Sequence, residues 1–455
     1  LNEMLKCGKY YLVKPIVKLF NLILSDALVP KEWKKGYLKV IHKSGDINLP
    51  GNYRGLAICS CLGKLFTKTL NNRLQTKLET DNIYSKHQAG FRRDHRTSDN
   101  VYILSQITKY YKLKKQKLYT CFVDFRKAFD TVSRPALFVK MAQMKIGGNF
   151  LKTVESLYKG DSFNIKIGNK LTEAIQCKQG VRQGDGLSST LFNIFINDLP
   201  NLFNEPDSIP AKLDNVTIGC LLYADDLVIM SESPAGLQQS LNKLSNYCKK
   251  WHLTVNISKT QVVIFNSKGQ MKNTFTYNKE ALRTVSSYKY LGIVLHRSCT
   301  FSEAIKSLSS KALKALFIMQ KSLQSDTNTP IKIHLKTFDS VIVPILTYCA
   351  EIWGQDLLHT KNGYHTDFTD DKSRLEVVHM RFCKRLLRVP QITSNIAVRS
   401  ELGRLPIINK VLQQTTKYFT RLESMNENKL AKTVYLQTKN HNFSVYKIAQ
   451  HYSNR

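Results

Sequence analysis

No two of the ten cysteines form a C-x-x-C pair, so no zinc site is suggested. Long apolar runs are missing too. The longest, 341–353, contains Pro344 and Glu351 and is too short to span a bilayer, so no membrane association is expected. No signal peptide is visible. Several cysteines lie in apolar runs, where the residue acts as a small hydrophobe, so a reducing intracellular setting is expected rather than secretion. No internal repeat of fixed period is evident. Acidic side chains are scarce, with 34 Asp and Glu against 68 Lys and Arg, a net charge of +34 over 455 residues. A polyanionic partner is the simplest reason for that imbalance; a merely basic soluble protein is the alternative. What is present is apolar material, 42% of the chain, which is enough for sizeable cores and excludes a wholly disordered polypeptide. The first residue is Leu1 rather than Met, which gives the expectation of a fragment.

The charge is uneven. Residues 1–120 hold 23 basic and 8 acidic side chains, and residues 371–455 hold 16 and 5. The middle keeps most of the carboxylates, which suits an acidic centre inside a basic cleft. Helical spacing is read over 12–24 and over 62–78, where Leu62, Leu65, Phe66, Leu70, Leu74 and Leu78 share a face. Residues 43–55 read as strand, loop, strand. Residues 118–123 form a short apolar strand ending at Asp124. Residues 218–222 and 227–231 flank Tyr223-Ala224-Asp225-Asp226 as a hairpin, and 261–265 is a further strand. Past residue 300 the pattern turns helical, with 355–373 read as a surface loop. The sequence predicts an α/β part followed by a mainly helical one.

A carboxylate at a strand end can face a cleft while its strand stays buried. If the two strands are neighbours, Asp124 and Asp225 converge and can share divalent cations. Two such ions roughly 3.5–4 Å apart activate an attacking hydroxyl and stabilise a leaving oxygen. An Asp pair in a turn is weak evidence alone, since Asp favours turns in any case.

The surroundings carry more. Asp124-Phe125-Arg126-Lys127-Ala128-Phe129-Asp130 resembles the first catalytic palm motif of reverse transcriptases, and Tyr223-Ala224-Asp225-Asp226 the second. Between them, Gln179-Gly180-Val181-Arg182-Gln183-Gly184-Asp185 and the apolar run from Leu191 resemble the family's loop-then-helix element. Asn52-Tyr53-Arg54-Gly55 and Gln88-Ala89-Gly90-Phe91-Arg92 resemble fingers motifs. Trp251-His252-Leu253, Lys259-Thr260 and Tyr290-Leu291-Gly292 follow in family order. The set resembles the enzymes of non-LTR, LINE-like retrotransposons rather than retroviral ones. Gly55 and Gly186 stand where the family often has Pro, and Ser188-Ser189 where it often has Ser-Pro, which loosens those turns.

The resemblance implies a right-hand polymerase. Its expected bounds are a helical lead-in over 1–37, fingers and palm over 38–295, and a helical thumb and C-terminal region over 296–455. It implies RNA-directed DNA synthesis from dNTPs onto a primer 3′-hydroxyl. The expected partners are an RNA template and a DNA primer, and the expected place is the nucleus or a cytoplasmic ribonucleoprotein. Asp124, Asp225 and Asp226 would be catalytic. Asp124 and Asp225 would hold two Mg²⁺ ions, for which Mn²⁺ can substitute. Lys43 and Arg54 would grip the triphosphate. Phe129 would exclude a 2′-hydroxyl, Gln183 would hold the nucleotide and Lys259 would serve the leaving pyrophosphate. Arg92 and Arg93 would touch template phosphates, Tyr290 and Gly292 would form a primer-gripping hairpin, and Lys384, Arg385 and Arg388 would follow the duplex. On this reading, a chain cut after about residue 370 still makes short extensions. No apurinic-type endonuclease, Cys/His knuckle or ribonuclease H cluster is found. The competing reading is a non-catalytic nucleic-acid-binding relic or fragment of such an element.

Overall fold

The computed structural model describes residues 2–43, 45–269, 273–324, 329–360, 363–364, 373–439 and 441. Its centre is the strand Leu118–Val123, of which every residue is buried. A strand sends successive side chains to opposite faces, and here that alternation feeds two cores. Tyr119, Cys121 and Val123 join one apolar cluster, while Leu118 and Phe122 join the other. Among the described residues, the sheet runs in the order Phe275–Tyr277, Glu280–Thr284, Gln261–Phe265, Leu118–Val123, Asp226–Ser231 and Cys220–Tyr223. Only the Gln261–Phe265 and Glu280–Thr284 pair is parallel. A sheet covered on both faces buries every position of its middle strand, which explains the mostly apolar run LYTCFV, in which the buried Thr120 hydroxyl donates to the Val263 carbonyl (2.8 Å).

One face is covered by the helices Arg134–Gln143, Ser188–Phe195 and Pro234–Trp251, which contribute Leu137, Met141, Leu191, Phe195, Leu237 and Leu241. A second sheet pairs Lys35–His42 antiparallel with Tyr53–Cys59 and parallel with Ser162–Ile167. The strand opening at Lys35 begins before the expected boundary at 37/38, and the preceding helix Lys9–Asp26 is no separate lead-in. Phe20 stacks edge-on against Trp33 and Phe66, which ties that helix to Cys61–Thr80.

The other face carries the helix Thr97–Leu113 and the C-terminal helices in one continuous core, from Tyr102 through Trp353 and Phe382 to Tyr435. Buried Asp99 accepts a hydrogen bond from Tyr418 Oη (3.0 Å) and is paired with the Arg421 guanidinium (2.5 Å). Tyr102 meets the Tyr418 ring edge-on. A cut after residue 370 would strip Tyr418, Arg421 and Tyr435 from this core, exposing the apolar surface they cover and taking the cation from Asp99. The expected active shortened chain would have to fold its sheet without this layer of the shared core. The expected loop over 355–373 is corrected in part, because the helix Ala350–Leu358 runs into it and His359–Thr360 pairs with Gly363–Tyr364. Residues 361–362 and 365–372 lie outside the described residues, as do Leu1 and 442–455. No helix among the described residues is long and apolar enough to cross a membrane.

Candidate active site

The two carboxylate motifs meet because their strands are neighbours. Leu227 pairs with Val123 in antiparallel register, so continuing the register by one residue sets Asp226 opposite Asp124. The hairpin turn between Cys220–Tyr223 and Asp226–Ser231 is sharp, with Ala224 in the left-handed region at φ 57°. The strain is held by a neighbour distant in sequence. Buried Gln88 accepts from the Ala224 N–H through Oε1 (2.9 Å) and donates from Nε2 to the Ala224 carbonyl (3.3 Å). Its Oε1 also accepts from the Gly90 N–H (2.8 Å). Asp124 is fixed at the backbone: its N–H donates to Thr260 Oγ1 (3.2 Å) and its carbonyl accepts from the Asn256 N–H (2.7 Å).

These elements surround a cavity of about 900 Å³. Asp124, Asp225, Lys43, Arg54, Phe129, Gln183 and Lys259 all line it, and Asp130 does so too. Ile41 and Arg54 are register partners, and the ladder continues as the Lys43 N–H donates to the Asn52 carbonyl (2.9 Å). Both cations thus come from one hairpin end. Phe129 is stacked on Phe192 (4.5 Å between centroids) and meets Phe91 edge-on (6.1 Å), so the ring of this cavity-lining residue is held from two sides.

Burial pushes the Asp225 carboxyl above the usual range, and Asp124 adds to this, while Arg54 and Lys43 act the other way. Asp226 is pushed up to about 6, first by the protein atoms crowding it and then by the charges of Asp225 and Asp124. Its surface is open to solvent, so that desolvation is partial. A carboxyl whose folded pKa is raised above its unfolded value of 3.8 costs stability as pH rises through that interval, in full above about 6. In metal-free protein, Asp226→Asn should therefore raise stability at pH 7.5 by about 1 kcal/mol, allowing for solvent screening. The gain should vanish by about pH 4. Melting curves in chelator across that range test it, and a gain independent of pH would contradict the charge cluster.

Three expected contacts are corrected. Arg92 is spent inside the fold: Nε and Nη2 donate to the two oxygens of Glu79 (2.9 and 2.7 Å), and Nη1 to the carbonyls of Ser85 and Gln88. Its neighbour Arg93 is exposed. Tyr290 is a core residue, 2% exposed, whose hydroxyl accepts from Asn100 Nδ2 (3.2 Å). Lys384 is buried, and its ammonium donates to the Gln391 carbonyl (2.6 Å). Arg385 and Arg388 are exposed, and Arg385 donates to Gln320 Oε1 (3.0 Å). Gly292 sits at the tip of the hairpin Ser287–Tyr290 and Ile293–His296, at φ 89°, with Leu291 also left-handed at 44°.

The sequence did not single out Tyr348. Its hydroxyl donates to the Leu291 carbonyl (2.9 Å), and its ring lies where a Cβ on Gly292 would come within 2.8 Å. The residue sits inside an apolar run, which gave no signal. Gln88, Gly90 and Asp130 stood within recognised motifs, but their contacts come from segments far along the chain.

Residues 41–295 match the family model of the reverse transcriptase (RNA-dependent DNA polymerase). The chain is 26% identical over 432 residues to a probable RNA-directed DNA polymerase from transposon BS of Drosophila melanogaster, covering 92% of this chain and 46% of the relative. It is 25% identical over 424 residues to the RNA-directed DNA polymerase from mobile element jockey of Drosophila funebris, covering 92% and 44%. The chain thus spans less than half the length of either relative. Among solved structures, apo telomerase from Candida tropicalis aligns over 90% of this chain and 69% of its own, at 13% identity and a TM-score of 0.43.

Proposed function

The chain belongs to the reverse transcriptase (RNA-dependent DNA polymerase) family, and on that premise we propose that it is the RNA-directed DNA polymerase of a non-LTR, LINE-like retrotransposon. The observation that carries this reading is the single cavity lined by Asp124, Asp225, Lys43, Arg54, Phe129, Gln183 and Lys259. Its proposed substrates are a dNTP and a DNA primer 3′-hydroxyl on an RNA template.

The donor set fits Mg²⁺, which takes one or two carboxylates and completes its shell with water and substrate phosphates. Among the described residues, no group of three or more His, Cys, Asp or Glu side chains forms a closed cage. The fit therefore rests on hard oxygen donors at an open cavity. Asp124 and Asp225 would hold the ions, with Asp226 adding charge beside them. Bound divalent cations would lower the pKa of the primer hydroxyl and stabilise charge on the leaving oxygen.

The protein's own groups do the rest. The Arg54 guanidinium offers paired donors to phosphate oxygens, and Lys43 adds a point charge from the same hairpin. Lys259, which also lines the cavity, would supply positive charge or a proton. The Phe129 ring, fixed by Phe192 and Phe91, would fill the space of a ribose 2′-hydroxyl. Phe129→Val should raise ribonucleotide use relative to deoxyribonucleotide by at least about tenfold in the ratio of kcat/KM values. An unchanged ratio in a folded variant would return Phe129 to a packing role.

The whole reading is tested by primer extension on an RNA template with Mg²⁺, with Asp225→Ala as control. Extension by the parent chain alone is expected. A folded parent chain that binds template–primer and dNTP without extending would favour the non-catalytic reading.

A further inference from the structure

The loop carrying Gln183 is fixed on both sides along its backbone. Gly180 N–H donates to the Val132 carbonyl and Val181 N–H to the Phe129 carbonyl, both at 2.8 Å. Gly180 adopts φ 81°, and a Cβ there would lie 2.6 Å from the Asp130 carbonyl oxygen, so the two segments touch directly. On the other side, the Ala57 N–H donates to the Gln183 carbonyl (2.8 Å). Arg182 is buried, with hydrogen bonds to Asp161 and to the carbonyls of Trp33 and Leu157. Only the side-chain torsions of Gln183 are left to be set.

Asp130 sets them. Gln183 Nε2 donates to Asp130 Oδ1 at 2.6 Å. Among the described residues, no Lys or Arg nitrogen lies within ion-pairing distance of this carboxylate, although the charges of Lys127 and Arg54 act on it from farther away. An ionised carboxylate only accepts hydrogen bonds, whereas an amide has one accepting and one donating end. The nitrogen of Gln183 must therefore be the end that meets Asp130. Its carbonyl oxygen and second amide hydrogen are left for a ligand. Both residues line the cavity that also holds Asp124, Asp225 and Phe129.

We propose that Asp130 is a positioning residue: it fixes the rotamer and the N/O sense of the Gln183 amide toward the incoming deoxynucleotide. This rests on the reading above that the cavity takes a dNTP. Gln183 touches the nucleotide; Asp130 acts through Gln183 and does no chemistry.

The test is the equilibrium affinity of a dNTP for the complex with an RNA template and a dideoxy-terminated primer, where no bond can form. Steady-state kcat and KM are measured beside it on an extendable primer. Asp130→Ala should weaken dNTP binding about fivefold to tenfold and raise KM alike, with kcat changed by less than about threefold. Asp130→Asn keeps the shape and one acceptor but no longer forbids the flipped amide, so it should fall between parent and Asp130→Ala. The double variant with Gln183→Ala should bind no more weakly than Gln183→Ala alone. Unchanged affinity in a folded Asp130→Ala or Asp130→Asn variant would overturn the proposal, and so would additive losses in the double variant. A fall in kcat with KM and affinity unchanged would also overturn it. If the parent complex binds no dNTP, the functional reading falls and this proposal with it. If the parent binds and the variants match it, only the proposal falls.

Discussion

Asp225→Asn should lower primer extension by several orders of magnitude and leave the affinity for template–primer within about twofold. The carboxylate sits in the turn that Gln88 clamps, beside Asp124 and inside the cavity. Asn has the same shape, so the Ala224 turn and its hydrogen bonds should persist. The carboxyl is held above its ordinary range by burial and by Asp124, so losing its charge should not destabilise the metal-free fold. What disappears is one of two hard, charged oxygen donors, and a second cation cannot be held by a neutral amide with comparable strength. Nucleic-acid affinity rests on other groups, because counterion release scales with the phosphates neutralised by Lys and Arg. Affinity should therefore still fall steeply with salt, with the same slope in parent and variant. Single-turnover extension and salt-dependent binding on the same preparations decide the matter. Extension near the parent rate would remove Asp225 from the metal site. Loss of binding together with extension would mean that the substitution had damaged the cleft instead.

The parts of this site that were legible in the sequence are those encoded locally. A run of β-formers ending in Asp124, and an Asp pair between two apolar strands, announce strand ends whatever surrounds them. The two strands prove to be register neighbours, which is why one motif could stand for the other's partner. Long-range contacts were not legible. Arg92 and Arg93 are adjacent and chemically identical, yet one is consumed by Glu79 thirteen residues upstream and the other is exposed. Nothing local distinguishes them. Lys384 lies on a helix whose apolar face is buried, and its long stem lets the ammonium turn inward to the Gln391 carbonyl. The helical pattern after residue 300 was readable as helix but not as a layer sharing a core with Thr97–Leu113. An amphipathic stripe says that a face is buried and not against what.

Gly90→Ala should lower primer extension by about 100-fold, though it removes no functional group. A Cβ at this position would stand 2.1 Å from the Ala224 nitrogen and 2.8 Å from the Tyr223 carbonyl carbon. Those are backbone atoms of the turn that carries Asp225, so no side chain can swing aside to make room. Gly90 cannot retreat easily either. Its N–H is bound to Gln88 Oε1, and its carbonyl accepts from Asn193 Nδ2 (2.7 Å). The alternative is for the turn to move, which would carry Asp225 with it and break the Gln88 clamp on Ala224. That clamp sustains a left-handed residue other than glycine, a conformation costing about 1–2 kcal/mol. A displacement near 1 Å at a reacting centre can cost about 100-fold in rate, and the strain should remove about 2–3 kcal/mol of stability. Gln88→Ala should act through the same turn with less force, by leaving the Ala224 N–H and carbonyl unpaired in a buried place, about 1–3 kcal/mol. Gly147 has nothing within 4 Å of its Cβ position and caps the helix Gly148–Tyr158, so Gly147→Ala should cost no more than about 1 kcal/mol, leave extension at the parent rate and serve as the control. Denaturant unfolding and single-turnover extension at a temperature where all three variants are folded separate the two effects. A folded Gly90→Ala variant extending at the parent rate would show that the turn tolerates displacement, and the clamp would then have no part in setting Asp225.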